Sequence, residues 1–238
     1  MMTRFLAFLR LSCAFLLSCA PTETGNPPFM ASLAFDAHST DDTVGFDATD
    51  RIVVDEIWID VGPTRFVLDD ECASPETDLF AAELGVEDHV TDTAVRTDFM
   101  LEEASYCRVS VPLRVVESLP VGAPAELMGN ALYLRGSADG VPFTLVSSGP
   151  YDIELTGAPL PMSEAERGVL VGFDVGAWLG ALDFAGAERT GGTIVIDPSN
   201  NSSVLAAFEA ALTSGVALYR DIEVDGFIDP TPPVLTAD

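Results

Sequence analysis

The sequence predicts a mainly β fold: an antiparallel β-sandwich with one or two short helices near the C-terminus. Three observations carry this. Many short segments alternate apolar and polar residues with the period of a strand. Turns rich in Gly, Pro, Asn, Asp and Ser separate them. Only two segments, both late in the chain, have apolar residues at helical spacing. No internal repeat of fixed period is present.

Residues 31–36 are the first expected strand, and the Asp-rich stretch 38–50 reads as a loop. Residues 51–61 are rich in Val and Ile with apolar residues on both faces, the pattern of a strand buried on both sides. Residues 65–68 are expected to pair with it as a hairpin through Gly62-Pro63. The acidic stretch 69–93, carrying Cys72 and His89, reads as a long irregular excursion. In 106–116, Cys107, Val109, Val111, Leu113 and Val115 fall on one face and Arg108, Ser110 and Arg114 on the other, with Pro112 marking an edge or bulge. The clearest hairpin is 131–135, a turn around Ser137-Ala138-Asp139-Gly140, then 141–147.

Tyr151, Ile153 and Leu155 alternate with Asp152, Glu154 and Thr156 in a further half-buried strand. Residues 157–168 read as a Pro-bearing connector, where a division into two domains would fall. Residues 169–173 form a strand, and Asp174 is placed to cap a short helix containing Trp178, Leu179 and Leu182, weakened by Gly176 and Gly180. Residues 193–196 form another strand. Asn201 or Ser202 caps a stronger helix whose face is Val204, Leu205, Phe208 and Leu212, ending near Gly215. Residues 217–219 are the last expected strand, and the tail from Pro230 reads as frayed.

Composition narrows the function classes. Thirty-eight acids face eleven arginines and no lysine, giving a net charge of −27 over 238 residues. Such a surface repels nucleic acid and anionic lipid, which are bound through cations. It attracts basic partners or divalent cations, although acidity of this kind also simply keeps a protein soluble. Apolar residues make up 48% of the chain, enough to bury a core.

The N-terminus has the layout of an export signal: Arg4 and Arg10, an apolar run, then Leu16-Leu17-Ser18-Cys19 and a polar stretch. The run is shorter than the roughly 20 residues that span a bilayer. A plain cleaved signal or a single anchor is the alternative, and Cys13 the weaker second cysteine. Leu-Leu-Ser-Cys resembles the lipobox of bacterial lipoproteins, which implies that Cys19 is acylated and becomes the first mature residue. Ala20 in place of aspartate implies, by the same resemblance, sorting to the outer membrane, facing either the periplasm or the surface. Four segments are expected: signal peptide 1–18, lipidated cysteine and tether 19–30, one sandwich domain 31–229, and tail 230–238. Cys72 and Cys107 are then left as an isolated pair, read as a disulfide in an oxidising compartment. Closing that loop contributes roughly 3–4 kcal/mol in the chain-entropy model.

Four further stretches carry a second resemblance: Ala31-Ser-Leu-Ala-Phe-Asp36, Ile57-Trp-Ile-Asp-Val61, Glu103-Ala-Ser-Tyr-Cys107 and Phe173-Asp174 before a helix. Their order is similar to the uncharacterised DUF4382 domain of bacterial lipoproteins. Asp36-Ala37-His38 stands where that family has Asp-Ala-Pro. The resemblance implies a β-sandwich envelope lipoprotein and supplies no catalytic residues.

The sharpest candidate site is Asp221, Glu223, Asp225, Phe227 and Asp229, around Gly226. Acids at alternating positions, a glycine at the turn and a backbone carbonyl at Phe227 resemble the start of an EF-hand calcium loop. The final bidentate ligand of that loop falls on Pro232, so the expected affinity is weak, roughly 0.1–1 mM. The plain alternative is an acidic turn with an apolar plug. The acids of 36–50, or Asp69, Asp70 and Glu71, are a further oxygen-rich candidate. No nucleophile elbow, zinc-protease motif, phosphate loop or dinucleotide fingerprint occurs. His38 and His89 sit in expected polar loops, and Trp58 and Trp178 within apolar elements read as core. The leading expectation is a non-enzymatic, envelope-anchored binding or structural module with an envelope protein or glycan partner and calcium as its candidate cofactor. The alternative is a secreted hydrolase acting on glycan or peptide through surface carboxylates such as Glu102-Glu103. A third is a subunit of a larger envelope assembly.

Overall fold

The computed structural model describes residues 27–68, 81–90, 95–228 and 232–237. Cys19, Cys72 and Asp229 lie outside them. The strands are β1 (Pro28–His38), β2 (Val44–Gly45), β3 (Ile52–Val61), β4 (Thr64–Leu68), β5 (Ala81–Ala82), β6 (Gly85–Asp88), β7 (Val95–Glu102) and β8 (Ala104–Leu113). They continue as β9 (Leu132–Ala138), β10 (Val141–Ser147), β11 (Tyr151–Met162), β12 (Gly168–Asp174), β13 (Arg189–Thr190), β14 (Thr193–Ile196), β15 (Val216–Arg220) and β16 (Leu235–Ala237). Helix α1 (Val175–Leu179) follows β12, and α2 (Ser202–Leu212) follows β14. No helix among the described residues is long and apolar enough to cross a membrane.

The fold is mainly β, as expected, and its sheet runs β13-β14-β10-β9-β3-β8-β11-β16-β15-β12-β1-β7. It is mixed, not purely antiparallel: β1 with β12, β10 with β14 and β2 with β3 pair in parallel. The first two of these pairs join strands far apart in the chain, whose direction hairpin signals do not specify. The sheet curls so that β1 and β7, at one end of this order, face β4 and β6, which branch from β8 and β3, across one apolar interior. Phe66 of β4 stacks on Phe99 of β7 with ring centroids 5.3 Å apart, and Phe35 of β1 meets His89, just after β6, at 6.4 Å. Burial of each such large side chain contributes about 1.5–3 kcal/mol.

Several local expectations are corrected. β3 does not pair with β4; Gly62-Pro63 carries the chain from β3, beside β9 and β6, to β4, beside β8 and β5. The described end of 69–93 is not irregular but holds β5 and β6. The edge strand β7 has no counterpart among the expected strands. Residues 157–162 continue β11 through a bulge after Thr156. The tail is not wholly frayed: β16 pairs with both β11 and β15, and Leu235 is buried. In β8 the alternation breaks at Cys107. Val67 pairs with Arg108 and Leu68 with Tyr106, so Cys107 is the extra residue of a bulge and Tyr106 turns inward.

The hairpin β9–β10 turns at Asp139-Gly140, both at positive φ, the conformation that a two-residue hairpin with right-handed twist requires. Asp174 caps α1, accepting from the amides of Gly176 (2.9 Å) and Ala177 (3.2 Å). The buried face of α2 is Val204, Leu205, Phe208 and Leu212. Asn201 stands at its N-cap position but makes no capping bond. Its amide instead ties Glu188 and Val195 to the helix start.

Candidate functional site

Among the described residues, two places gather groups that could carry chemistry. The first is the 221–228 loop, which leaves β15 and folds back over the outer face of β1, β12 and β15. Asp221 is buried, 1% exposed, and its carboxylate turns into its own loop. Its oxygens accept from the amides of Asp225 and Gly226, both at 3.0 Å. Burial raises its pKa, and those backbone donors oppose the rise. Asp225 accepts from the amide of Phe227 at 3.0 Å. Glu223 lies beside Arg96, whose guanidinium donates to the Val224 carbonyl at 2.6 Å. Phe227 is half exposed, and Ile228 packs inward on Tyr219. Among the described residues no three His, Cys, Asp or Glu side chains are grouped to hold a metal ion.

Beneath Ile228, His38 meets Tyr219 edge-on, with Nε2 3.4 Å from the phenol oxygen. A side chain at Gly172 would run into Tyr219, His38 and Ile228, so glycine makes their convergence possible. Burial lowers the His38 pKa against the pull of Asp174, and it raises Asp36 to about 6. His89, expected in a polar loop, does sit in a turn but is buried there. It is 4% exposed, with Phe35 and Phe173 around its ring and, among the described residues, no hydrogen-bond partner at either nitrogen. Desolvation pushes its pKa down to about 4, with the nearby Phe35 backbone opposing weakly. Trp178 is fully buried, as read from the sequence, and donates to the Leu212 carbonyl at 2.9 Å. Trp58 is half-buried in a satellite cluster with Val116, Leu127 and Tyr133. Within 38–50, Asp41 accepts from Thr43, and Asp50 from the Asp47 amide.

The second place is a cleft of about 710 Å³ where the ends of β3, β6 and β8 meet the loop after β8. This falls within the usual range for small-molecule sites. Val86, Leu119 and Pro120 line it, as do Asp60, Arg114 and Glu117. Asp60 is only 7% exposed and faces Arg114 at 3.4 Å; the same guanidinium nitrogen meets Glu83 at 2.8 Å. Burial raises the Asp60 pKa, and Arg114 lowers it in part. Sequence reasoning passed over this cleft. Its signal was Asp60 itself, a lone acid inside the apolar run Ile57-Trp58-Ile59-Asp60-Val61, where a buried charge requires a partner.

No family model matches the chain, nor does any curated protein. Among solved structures it is similar to MbnP from Methylosinus trichosporium, with a TM-score of 0.43 and 9% identity over 89% of this chain and 99% of that one. Similarity at that level carries no argument about fold or function.

Proposed function

We infer that this chain is a non-enzymatic binding module of the bacterial envelope, tethered to the outer membrane through acylated Cys19 and presenting the Asp60–Arg114 cleft to its ligand. The observation that carries the binding role is the cleft. It combines apolar walls with a few fixed charges, the composition of a recognition surface. Both histidines lie elsewhere, His89 sealed in the interior and His38 against Tyr219.

Two further elements belong to the reading. A Cys72–Cys107 bridge is supported by the bulge on β8. It sets the Cys107 sulfur 3.2 Å from the Leu68 carbonyl, and Cys72 follows only four residues later. Calcium at Asp221, Glu223, Asp225, Phe227 and Asp229 is supported by residue spacing. Asp221 already serves its own loop, so the metal rests on the other four.

The test is recovery of ligand from the native protein. Mature protein extracted from outer membranes is expected to carry acylated Cys19 and to release an unaltered small ligand on denaturation. The Ser118→Trp variant, with the cleft filled from its exposed rim, is expected to release none. Release of a cleaved product would favour the hydrolase instead.

A further inference from the structure

The ligand class follows from the charges of the cleft, and this inference rests on the cleft being the binding surface. Among the described residues, Arg114 is the one cation lining it. Its guanidinium is shared by Glu83 at 2.8 Å and Asp60 at 3.4 Å, and Glu117 also lines the cleft. Among the described residues, three carboxylates therefore stand at the cleft against one positive charge. Only Oδ1 of Asp60 meets Arg114, and no other donor among the described residues reaches that carboxylate. An anionic ligand would have to displace a carboxylate from Arg114 and then sit beside the others. A cation needs no such exchange, and the whole chain, at −27, adds a field of the same sign.

The walls argue against a bare metal ion. Hard cations require six or more oxygen ligands at about 2.0–2.6 Å, whereas Val86, Leu119 and Pro120 offer apolar surface. We propose that the cleft binds an organic cation with an apolar body. Its ammonium or guanidinium group lies against Asp60 and Glu117, and its hydrocarbon lies against Val86, Leu119 and Pro120.

Three probes of equal shape separate the charge classes: phenylbutylamine, phenylbutanol and phenylbutyrate, titrated calorimetrically into the mature protein in nonionic detergent. The amine is expected to bind at least tenfold tighter than the alcohol, to weaken at higher salt, and to weaken about threefold or more in Glu117→Gln. Glu117 is exposed, so that variant leaves the core untouched. Leucyl-lysine amide beside the amine assigns the source. A tighter peptide places the cation on a protein partner, and a tighter amine makes it a free molecule. Alcohol or acid binding as well as the amine, and still blocked by Ser118→Trp, would overturn the cation while leaving the cleft as the binding surface. Absence of any heat sensitive to Ser118→Trp would overturn both.

Discussion

The carboxylate of Asp221 accepts the amide of Gly226 at 3.0 Å, across the turn whose spacing resembles the start of a calcium loop. The acid that opens the loop is thus the group that folds it. Asp221→Ala removes two charge-assisted bonds from a buried site and is expected to lower stability by about 2 kcal/mol, even with chelator present. Asp221→Asn, keeping one acceptor, is expected to lose less. If calcium occupies the remaining positions, it raises the melting temperature of the wild type and not that of Asp225→Ala. Thermal melts with calcium and with chelator check both points.

Two buried groups make opposite contributions to pH dependence. The His89 pKa falls from 6.5 to about 4 on folding. The unfolded chain therefore takes up a proton that the folded one refuses, and stability is lost as pH drops from 6.5 toward 4. The Asp36 pKa rises from 3.8 to about 6. There the folded chain binds the proton first, so stability is gained as pH drops from 6 toward 3.8. Each slope approaches about 1.4 kcal/mol per pH unit, and between pH 4 and 6 they oppose one another. Urea melts across this window are expected to show His89→Phe gaining stability on acidification relative to wild type, and Asp36→Asn losing it.

Trp178 and Gly215 form a coupled pair. The indole nitrogen of Trp178 bonds Leu212 at 2.9 Å, and a Cβ at Gly215 would collide with the same indole. Gly215→Ala is expected to destabilise by about 2–3 kcal/mol through overpacking, and Trp178→Phe by about 1–2 kcal/mol through the lost bond. The double variant is expected to fall short of the sum by at least about 1 kcal/mol, read from denaturant melts.

β16 closes the gap between β11 and β15, with Leu235 buried at their junction. Leu235→Ala is expected to cost about 3 kcal/mol, the range of a core leucine and not of a tail residue.

What was legible in the sequence was local. The alternation in 151–156, the Asp139-Gly140 turn and the face of α2 each follow from a period or a turn residue, and each stands in the structure. What was not legible depends on partners distant in the chain. The parallel pairing of β1 with β12 brings residues some 136 positions apart into register (Ser32 with Gly168). β7 holds its place by pairing with β1; its burial alternates along its whole length, but only Phe99 and Leu101 of the inward face are buried. His89 looks like a polar-loop residue because its neighbours are acidic, yet a tertiary contact with Phe35 and Phe173 buries it. The cleft is the same case: Asp60, Glu83 and Arg114 meet from three separate stretches.

The most direct measurement is calorimetric titration of phenylbutylamine into the wild type and into Ser118→Trp, with the two melting temperatures matched. Ser118 lines the cleft from an exposed position, so the indole fills the space without entering the core. Affinity reduced at least tenfold at unchanged stability is the expected result. Equal affinity in the two proteins would contradict the assignment of the cleft as the binding site.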